Sequence, residues 1–486
     1  MSAKPTHLST LIAGIPGAVL HGDINVIINA IRYDSRLVQN GDLFVAIKGY
    51  TTDGHRYINQ AVANGAAAVI HEKPLDQSLK VTTVQVPSSR KALAVVSACF
   101  YNYPQRDLKL IGVTGTNGKT TITHMLWSIF QTAMPPAGMI GTIENRVGTE
   151  PLPAIHTTPE SLDLQELFDR MRRERLKVAS MEVSSHALAL DRVFGLDFSA
   201  AVFTNLSHEH LDFHHTLEEY RDAKAVLFMN LSQSATAILN EDDRIGKYYR
   251  SITSAKVWMY SLKDAEADLY GHDVESDWSG TRLTARTPQG IIDFETTLAG
   301  WFNASNLLAA VGAAMALDIS ANDIREGLAT LESVPGRFER VPVDVPFTVI
   351  VDYAHTPDAL DNCLRAARVL PGRRLITVFG CGGDRDRKKR PLMGKIAQDL
   401  SDVAVITSDN PRTEDPELII EDIIAGLDRS RPVFVEVDRR KAIAKALAEA
   451  HPGDVVVVAG KGHETYQIIQ DRKEPFDDRQ VIAECL

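Results

Sequence analysis

Cysteine is scarce in this chain: four stand in 486 residues, at Cys99, Cys363, Cys381 and Cys485. None forms a CxxC pair, which excludes the common zinc and dithiol redox motifs. Four thiols in so long a chain do not make a disulfide framework, so reduced thiols of a cytoplasmic protein are expected. Long apolar runs are also missing. No stretch reaches about 18 apolar residues, so no membrane-spanning helix is expected. The apolar stretch from Leu11 to Leu20 is interrupted by Gly14, Pro16 and Gly17 and is not a basic flank followed by an unbroken apolar run, so it does not read as a signal peptide. An excess of positive charge is absent too. The formal net charge is -11, which makes the chain a poor nonspecific binder of nucleic acid. An anionic substrate therefore has to be caught by local devices. What remains is ordinary globular composition, 44% hydrophobic and 24% charged, in a length that suits roughly three domains at about 150 residues each.

The rhythm of the sequence divides it into three zones, set at residues 1–88, 89–335 and 336–486. The first is a mixed α/β stretch of short elements. The second opens with the apolar run Leu108 to Val113, and further strand-like runs lie near Val178, Ala200 and Ala235 with helical patterns between several of them. That alternation predicts a mostly parallel, doubly wound sheet. In the third zone the apolar runs beginning at Phe347, Leu375, Val403, Val433 and Val455 recur regularly. Nearly all end in polar or Gly-rich residues: Asp352-Tyr-Ala-His, Gly380-Cys-Gly-Gly-Asp, Asp409-Asn-Pro-Arg and Gly460-Lys-Gly-His-Glu. Open α/β sheets bind ligands beyond the carboxyl ends of their strands, so a Rossmann-like domain with a ligand crevice is expected there.

Between the run ending at Val113 and an apolar-periodic helix stands Thr114-Gly-Thr-Asn-Gly-Lys-Thr-Thr. A strand, a Gly-containing loop, Lys-Thr and a helix make a phosphate cradle, because loop N–H groups and the helix N-terminus attract phosphate oxygens. Lys119 is placed to reach the terminal phosphates and the Thr120 hydroxyl to help hold magnesium. The spacing departs from the generic Walker pattern, which has Gly where this chain has Val113. Downstream, Asn205-Leu-Ser-His-Glu-His-Leu-Asp-Phe-His gathers several potential ligands. It is no zincin helix, since Asp212 stands where the second His is required. His463-Glu464 fails likewise, with Gln467 in that place.

The loop Gly115-Thr116-Asn117-Gly118-Lys119-Thr120-Thr121 resembles the ATP loop of the Mur ligases, which form amides by way of acyl phosphates and have the folylpolyglutamate synthetases as relatives. The resemblance runs through nearly the whole chain in order. It implies that ATP is held by residues 115–121, by Asn303 in Gly300-Trp-Phe-Asn-Ala-Ser-Asn, by Arg337 in Pro335-Gly-Arg-Phe-Glu and by the ribose-binding Asp352. It implies magnesium at Thr120, Glu182, His210 and a carbamylated Lys224, with Lys119, Lys224 and Arg337 catalytic. A lysine of lowered pKa can take up carbon dioxide, and the carbamate offers two oxygens to a hard cation.

Arg385, Asp409, Asn410, Arg412, Gly460 and Glu464 resemble the amino-acid site of the branch that adds the third residue of the peptide stem. Tyr33-Asp-Ser-Arg, with Ser35 at the uridine, resembles its UDP-binding domain, and Thr157, Thr158, Ser184 and Arg192 its muramoyl-peptide contacts. Some members carry Gln where this chain has Leu190. The implied architecture is a small N-terminal α/β UDP-binding domain, a central P-loop doubly wound sheet and a C-terminal Rossmann-like domain. The implied reaction joins meso-diaminopimelate to the γ-carboxylate of D-Glu in UDP-N-acetylmuramoyl-L-alanyl-D-glutamate, with ATP and Mg2+, in the cytoplasm, without nucleic acid or membrane insertion. An Arg fork at 412 suits the distal carboxylate of diaminopimelate. The other readings are an L-lysine-adding ligase, a folylpolyglutamate synthetase-like ligase and a noncatalytic nucleotide-binding regulator.

Overall fold

The computed structural model describes residues 4–49, 52–75, 79–428 and 430–486. Its largest element is an eleven-stranded sheet. At its centre lies the strand Lys109–Thr114, flanked by Val178–Glu182 and Phe198–Phe203, both parallel to it. Buried on both faces, these strands read as near-continuous apolar runs, as parallel strands covered on two sides do. The parallel run extends from Gly138–Ile140 at one side to Leu269–Asp277 at the other.

The sheet is doubly wound. One face packs on the helices Lys119–Ala133, Phe302–Met315 and Ala321–Ala329 through Ile122, Met125, Leu307 and Leu328. The other packs on Ser161–Arg173, Leu217–Met229 and Arg244–Ile252 through Phe168, Phe228 and Tyr249. The periodicity did not reveal that both edges turn antiparallel. Strands Glu144–Val147 and Glu150–Pro153 close one edge, and the long hairpins Leu269–Asp277, Gly280–Thr287 and Gly290–Thr296 close the other. These last strands alternate buried and exposed residues, the pattern of a sheet with one wet face.

The N-terminal unit is a five-stranded sheet, in the order Val19–His21, Thr82–Gln85, Ala68–His71, Leu43–Val45 and Ile31–Arg32. Helix Ser89–Phe100 covers it, with Ala92, Leu93, Val96 and Phe100 in one core with Leu43, Val45 and Ile70. A division at residue 88 separates this helix from the sheet whose apolar face it buries.

The C-terminal sheet has six strands. The last long strand, Val455–Ala459, is inserted between Thr348–Asp352 and Leu375–Phe379, with Val403–Ile406 beyond. The carboxyl ends of these four parallel strands carry the polar segments that begin at Tyr353, Gly380, Thr407 and Gly460. Parallel register places all four on one rim, the rim that faces the central sheet.

Candidate active site

The central strand Lys109–Thr114 ends in a tight loop that starts the helix Lys119–Ala133. Gly118 has φ +87°, and a Cβ there would lie 2.5 Å from Asn306 Oδ1. Gly115, at φ +148°, would place its Cβ 1.8 Å from Thr204 Oγ1. The loop is therefore clamped between the next strand's end and helix Phe302–Met315, where no side chain fits. It borders a cavity of about 510 Å3, walled by Thr116 to Thr121, Glu182, His210, Lys224, Asn306, Arg337 and Asp352, among others.

Two lysines converge on the loop. Lys119 Nζ donates to the Gly115 and Thr116 carbonyls at 2.9 and 2.7 Å, and Lys224 Nζ donates to the same Gly115 carbonyl at 2.9 Å. Lys224 is 1% exposed, with its amine 4.5 Å from the Tyr220 ring centre. Burial holds its pKa well below the ordinary lysine value, and the charge of Lys119 adds to this against the pull of Glu209. Burial also lowers the pKa of Lys119, opposed by Glu209 and Glu182.

Glu182 is fully buried at the end of its strand. It accepts from Thr142 N at 2.8 Å, from Thr142 Oγ1 at 3.0 Å and from Thr120 Oγ1 at 3.1 Å. Arg337, on the segment leading into the C-terminal sheet, donates from Nη2 to Thr120 Oγ1 at 3.1 Å and lies over the Tyr353 ring. Its Nε is buried without a hydrogen-bond partner. Asp352 receives Phe338 N at 2.6 Å, and burial raises its pKa against the opposing charge of Arg337. His210 has φ +57° and packs edge-on to His186. Burial lowers its pKa against the pull of Glu209, so at neutral pH its imidazole is uncharged and able to ligate a metal.

Among the described residues no group of three or more His, Cys, Asp and Glu side chains is arranged to hold a metal ion. The donors that do face the cavity suit a hard cation only in part. The Thr120 hydroxyl, the Glu182 carboxylate and the His210 imidazole fit. An ammonium at 224 does not fit beside a divalent cation, whereas a carbamate there does.

Asn303 is not on the cavity wall. Its Nδ2 donates to the Ala299 carbonyl at 2.8 Å, and its Oδ1 accepts from Asn306 Nδ2 at 2.9 Å. Asn306 is the residue that reaches the cavity, one helical turn on, and its position in the same motif was the available signal.

The C-terminal rim forms a second cluster. Arg412, in left-handed conformation at φ +53°, donates from Nη1 to the Gly383 carbonyl at 2.7 Å. Burial depresses the pKa of Arg412, and the charge of the exposed Arg385 adds to it. Asn410 donates to Glu464 Oε2 at 2.8 Å, and Lys461 Nζ bridges Asn410 Oδ1 and Glu464 Oε2, each at 3.1 Å. Asp409 Oδ2 is buried with no partner, and Gly460 N donates to the Asp352 carbonyl at 3.0 Å. Two guanidiniums and a carboxylate with one unpartnered oxygen thus lie at one rim, the other oxygen of Asp409 accepting from Asn410 N at 2.6 Å. Gly460 joins that rim to the strand end that carries Asp352.

Three family descriptions match the chain in order: "Mur ligase family, catalytic domain" over residues 27–101, "Mur ligase middle domain" over 113–314 and "Mur ligase, glutamate ligase domain" over 336–462. The UDP-N-acetylmuramoyl-L-alanyl-D-glutamate--2,6-diaminopimelate ligase of Geobacillus thermodenitrificans (strain NG80-2) is 47% identical over 481 residues, 98% of each chain. The chain belongs to the Mur ligase family. A solved structure of a ligase of that same description superposes with a TM-score of 0.70 at 34% identity, over 99% of this chain and 98% of that one. The MurF ligase of Thermotoga maritima, solved in complex with ADP, shares the fold at 20% identity and a TM-score of 0.63, over 94% of this chain and 96% of that one.

Two of the residues implied for the muramoyl peptide, Thr157 and Ser184, lie on the wall of the same cavity. Thr158 Oγ1 donates to the Glu182 carbonyl at 2.9 Å, and Arg192 Nη1 donates to the Thr158 carbonyl at 2.9 Å. Ser35 lies apart from this cavity, within the N-terminal unit, where its hydroxyl donates to Gln60 Oε1 at 3.0 Å. Sequence reasoning also missed Asp358, which accepts from Asn117 Nδ2 at 2.7 Å and from Ser207 Oγ at 3.1 Å, and so ties the C-terminal unit to the loop. Nothing in its sequence context distinguishes it from an ordinary first-turn acid of the helix Pro357–Val369.

Proposed function

We propose that the chain is an ATP- and magnesium-dependent ligase of the cytoplasm. It joins meso-diaminopimelate to the γ-carboxylate of D-Glu in UDP-N-acetylmuramoyl-L-alanyl-D-glutamate. The observation that carries the choice of amino acid is the pairing of Arg412 with Arg385 beside Asp409, Asn410 and Glu464. A diaminopimelate distal end brings one carboxylate for the guanidiniums and one ammonium for the acids. L-Lysine brings no such carboxylate.

A carboxylate and an ammonium do not condense readily in water, so ATP activates the acid. The γ-phosphoryl passes to the D-Glu carboxylate, and ADP leaves. Lys119 exchanges its two loop carbonyls for phosphate oxygens, and Arg337, already on Thr120, offsets charge on the transferring group. Magnesium, when bound by Thr120, Glu182, His210 and carbamylated Lys224, supplies further neutralisation of the phosphates. Asp352 accepts from the ribose hydroxyls, and Asn303 orients Asn306 toward the nucleotide. Thr157, Thr158, Ser184 and Arg192 hold the muramoyl peptide. Ser35 holds the uridine at the far end of a long substrate.

The amine of diaminopimelate, held on the C-terminal rim, then attacks the acyl carbon. A C–N bond forms, the C–O bond to phosphate breaks, phosphate leaves with the electron pair, and the amine nitrogen gives up its proton to solvent or to the departing phosphate. The Asn117–Asp358 hydrogen bond joins the two units at the ATP loop, so it is a contact that domain movement around ATP would change. The test is phosphate release with ATP, the UDP-linked dipeptide and a panel of amino acids. Turnover that requires both co-substrates and prefers meso-diaminopimelate supports the reading. Phosphate release with neither co-substrate sinks it.

A further inference from the structure

The N-terminal unit grips the start of helix Ser161–Arg173 at three points. Leu162 is inserted into the N-terminal core beside Leu93 and Phe100. Tyr33 Oη donates to Asp163 Oδ2 at 2.8 Å. Arg90, from the first turn of helix Ser89–Phe100, makes the third contact and spans three chain segments. Its Nε donates to the Lys48 carbonyl at 2.9 Å, and its Nη1 to Glu160 Oε2 at 3.2 Å and the Leu190 carbonyl at 3.1 Å.

Glu160 is shared. Its Oε1 lies 2.9 Å from Arg192 Nε, and both side chains are nearly buried, at 9% and 14% exposed. Arg192 Nε makes no hydrogen bond of good geometry with that carboxylate, while Arg192 Nη1 holds the Thr158 carbonyl. Arg90, Glu160, Arg192 and the Thr157–Thr158 turn thus form one connected charged chain from the N-terminal unit to the cavity wall. A guanidinium can do this because its planar fork addresses several acceptors at fixed angles. A lysine at 90 could satisfy the charge of Glu160 but not all three acceptors.

We propose that Arg90 is a positioning residue for the UDP-linked substrate. Through Glu160 and the Leu190 carbonyl it sets the placement of Arg192 and the Thr157–Thr158 turn, and it makes that placement depend on the seating of the N-terminal unit. The inference rests on the substrate proposed above. Lys48 belongs to the N-terminal unit and Leu190 to the central one, so the unit that takes the nucleotide end is coupled to the segment that takes the peptide end. A substrate long enough to engage both gains from having them in fixed register. Arg90 itself donates to Lys48, Glu160 and Leu190, and to none of the residues proposed to hold ATP or the amino acid.

The experiment measures kcat and the three KM values in wild type, Arg90→Ala, Arg90→Lys, Glu160→Gln and the Arg90→Ala/Glu160→Gln double variant, with melting temperatures alongside. Removing a charge-assisted contact of this kind should raise KM for the UDP-linked dipeptide roughly tenfold or more. KM for ATP and for diaminopimelate, and kcat at saturation, should stay in place. Arg90→Lys should recover part of the loss. The double variant should be less than additive, because the two residues act as one unit. A simple structural staple would move all three KM values together, and that result overturns the proposal. So does an unmoved KM for the UDP-linked dipeptide in folded Arg90→Ala. If Arg90→Ala does not fold, Arg90→Lys decides by the same criterion. A wild type that does not turn over the UDP-linked dipeptide defeats the function itself, whereas wild-type turnover with an unmoved KM in Arg90→Lys defeats only the role of Arg90.

Discussion

Lys119 and Lys224 share one acceptor: each places its Nζ 2.9 Å from the carbonyl oxygen of Gly115. Two ammonium groups on one buried oxygen repel one another, and the more deeply buried one is the better placed to give up its proton. Lys224 is that residue, and a neutral amine is the form that reacts with carbon dioxide. Lys224→Ala should lose most activity. Enzyme kept in 13C-bicarbonate should show a carbamate resonance that Lys224→Ala lacks, and activity lost in carbonate-free buffer should return with bicarbonate. An unmodified Lys224 in fully active enzyme would refute the assignment.

Lys119→Ala should fold normally and lose turnover by roughly 10³-fold or more, since the charge it brings to the phosphoryl group matters most as that group transfers. Near-normal phosphate release from a folded variant would remove the phosphate-loop assignment.

On the proposed reaction, the choice of amino acid rests on Arg412. A site built around a substrate's polar group can reject an analogue lacking it by roughly 10⁴-fold, so wild type should use meso-diaminopimelate and nearly ignore L-lysine. Arg412→Ala should narrow that gap mainly by losing diaminopimelate efficiency, and Arg412→Lys should restore it incompletely. The check is kcat/KM for both amino acids. A wild-type preference for L-lysine would overturn the substrate while leaving the ligase standing.

Arg439 and Asp478 are both fully buried and paired through two contacts, at 2.8 and 2.6 Å. Arg439 also holds the Ala459 carbonyl at 3.1 Å, one residue before Gly460. Asp478→Ala leaves a buried guanidinium uncompensated and should cost about 3–5 kcal/mol. Replacing both partners by apolar residues should cost less. Chemical denaturation of the single and double variants measures the difference.

His463 responds to acid. Burial, with Arg337 next in weight, pushes its pKa from the ordinary 6.5 down to about 3. Its folded form is therefore neutral while the unfolded chain takes up a proton below 6.5. The stability this contributes is fully present above that pH and is lost progressively as pH falls from 6.5 toward 3. Between pH 8 and pH 5 the wild type should lose more in melting temperature than His463→Gln. Equal losses would show that the ring titrates normally in the folded protein.

Much of this protein is determined locally. A strand buried on both faces has to be continuously apolar, a loop that leaves no room for Cβ has to carry Gly, and a helix that starts at a phosphate cradle has to begin after one. Lys109 to Ala133 states the strand, the Gly loop and the helix in order, so this strand–loop–helix unit was legible without a structure. Regular apolar runs with polar ends made the C-terminal rim legible in the same way. The antiparallel hairpins from Leu269 to Thr296 were not, because a wet-faced edge strand differs from a loop only by a weak period-two alternation. Helix Ser89–Phe100 carries a plain amphipathic pattern that does not say which sheet it covers. Asp358 on Asn117, and Arg90 on Glu160 and Leu190, join residues 241, 70 and 100 positions apart across units. Such pairs are chosen by how the units pack, since a charge buried at their interface has to find its partner in space, whatever its distance along the chain.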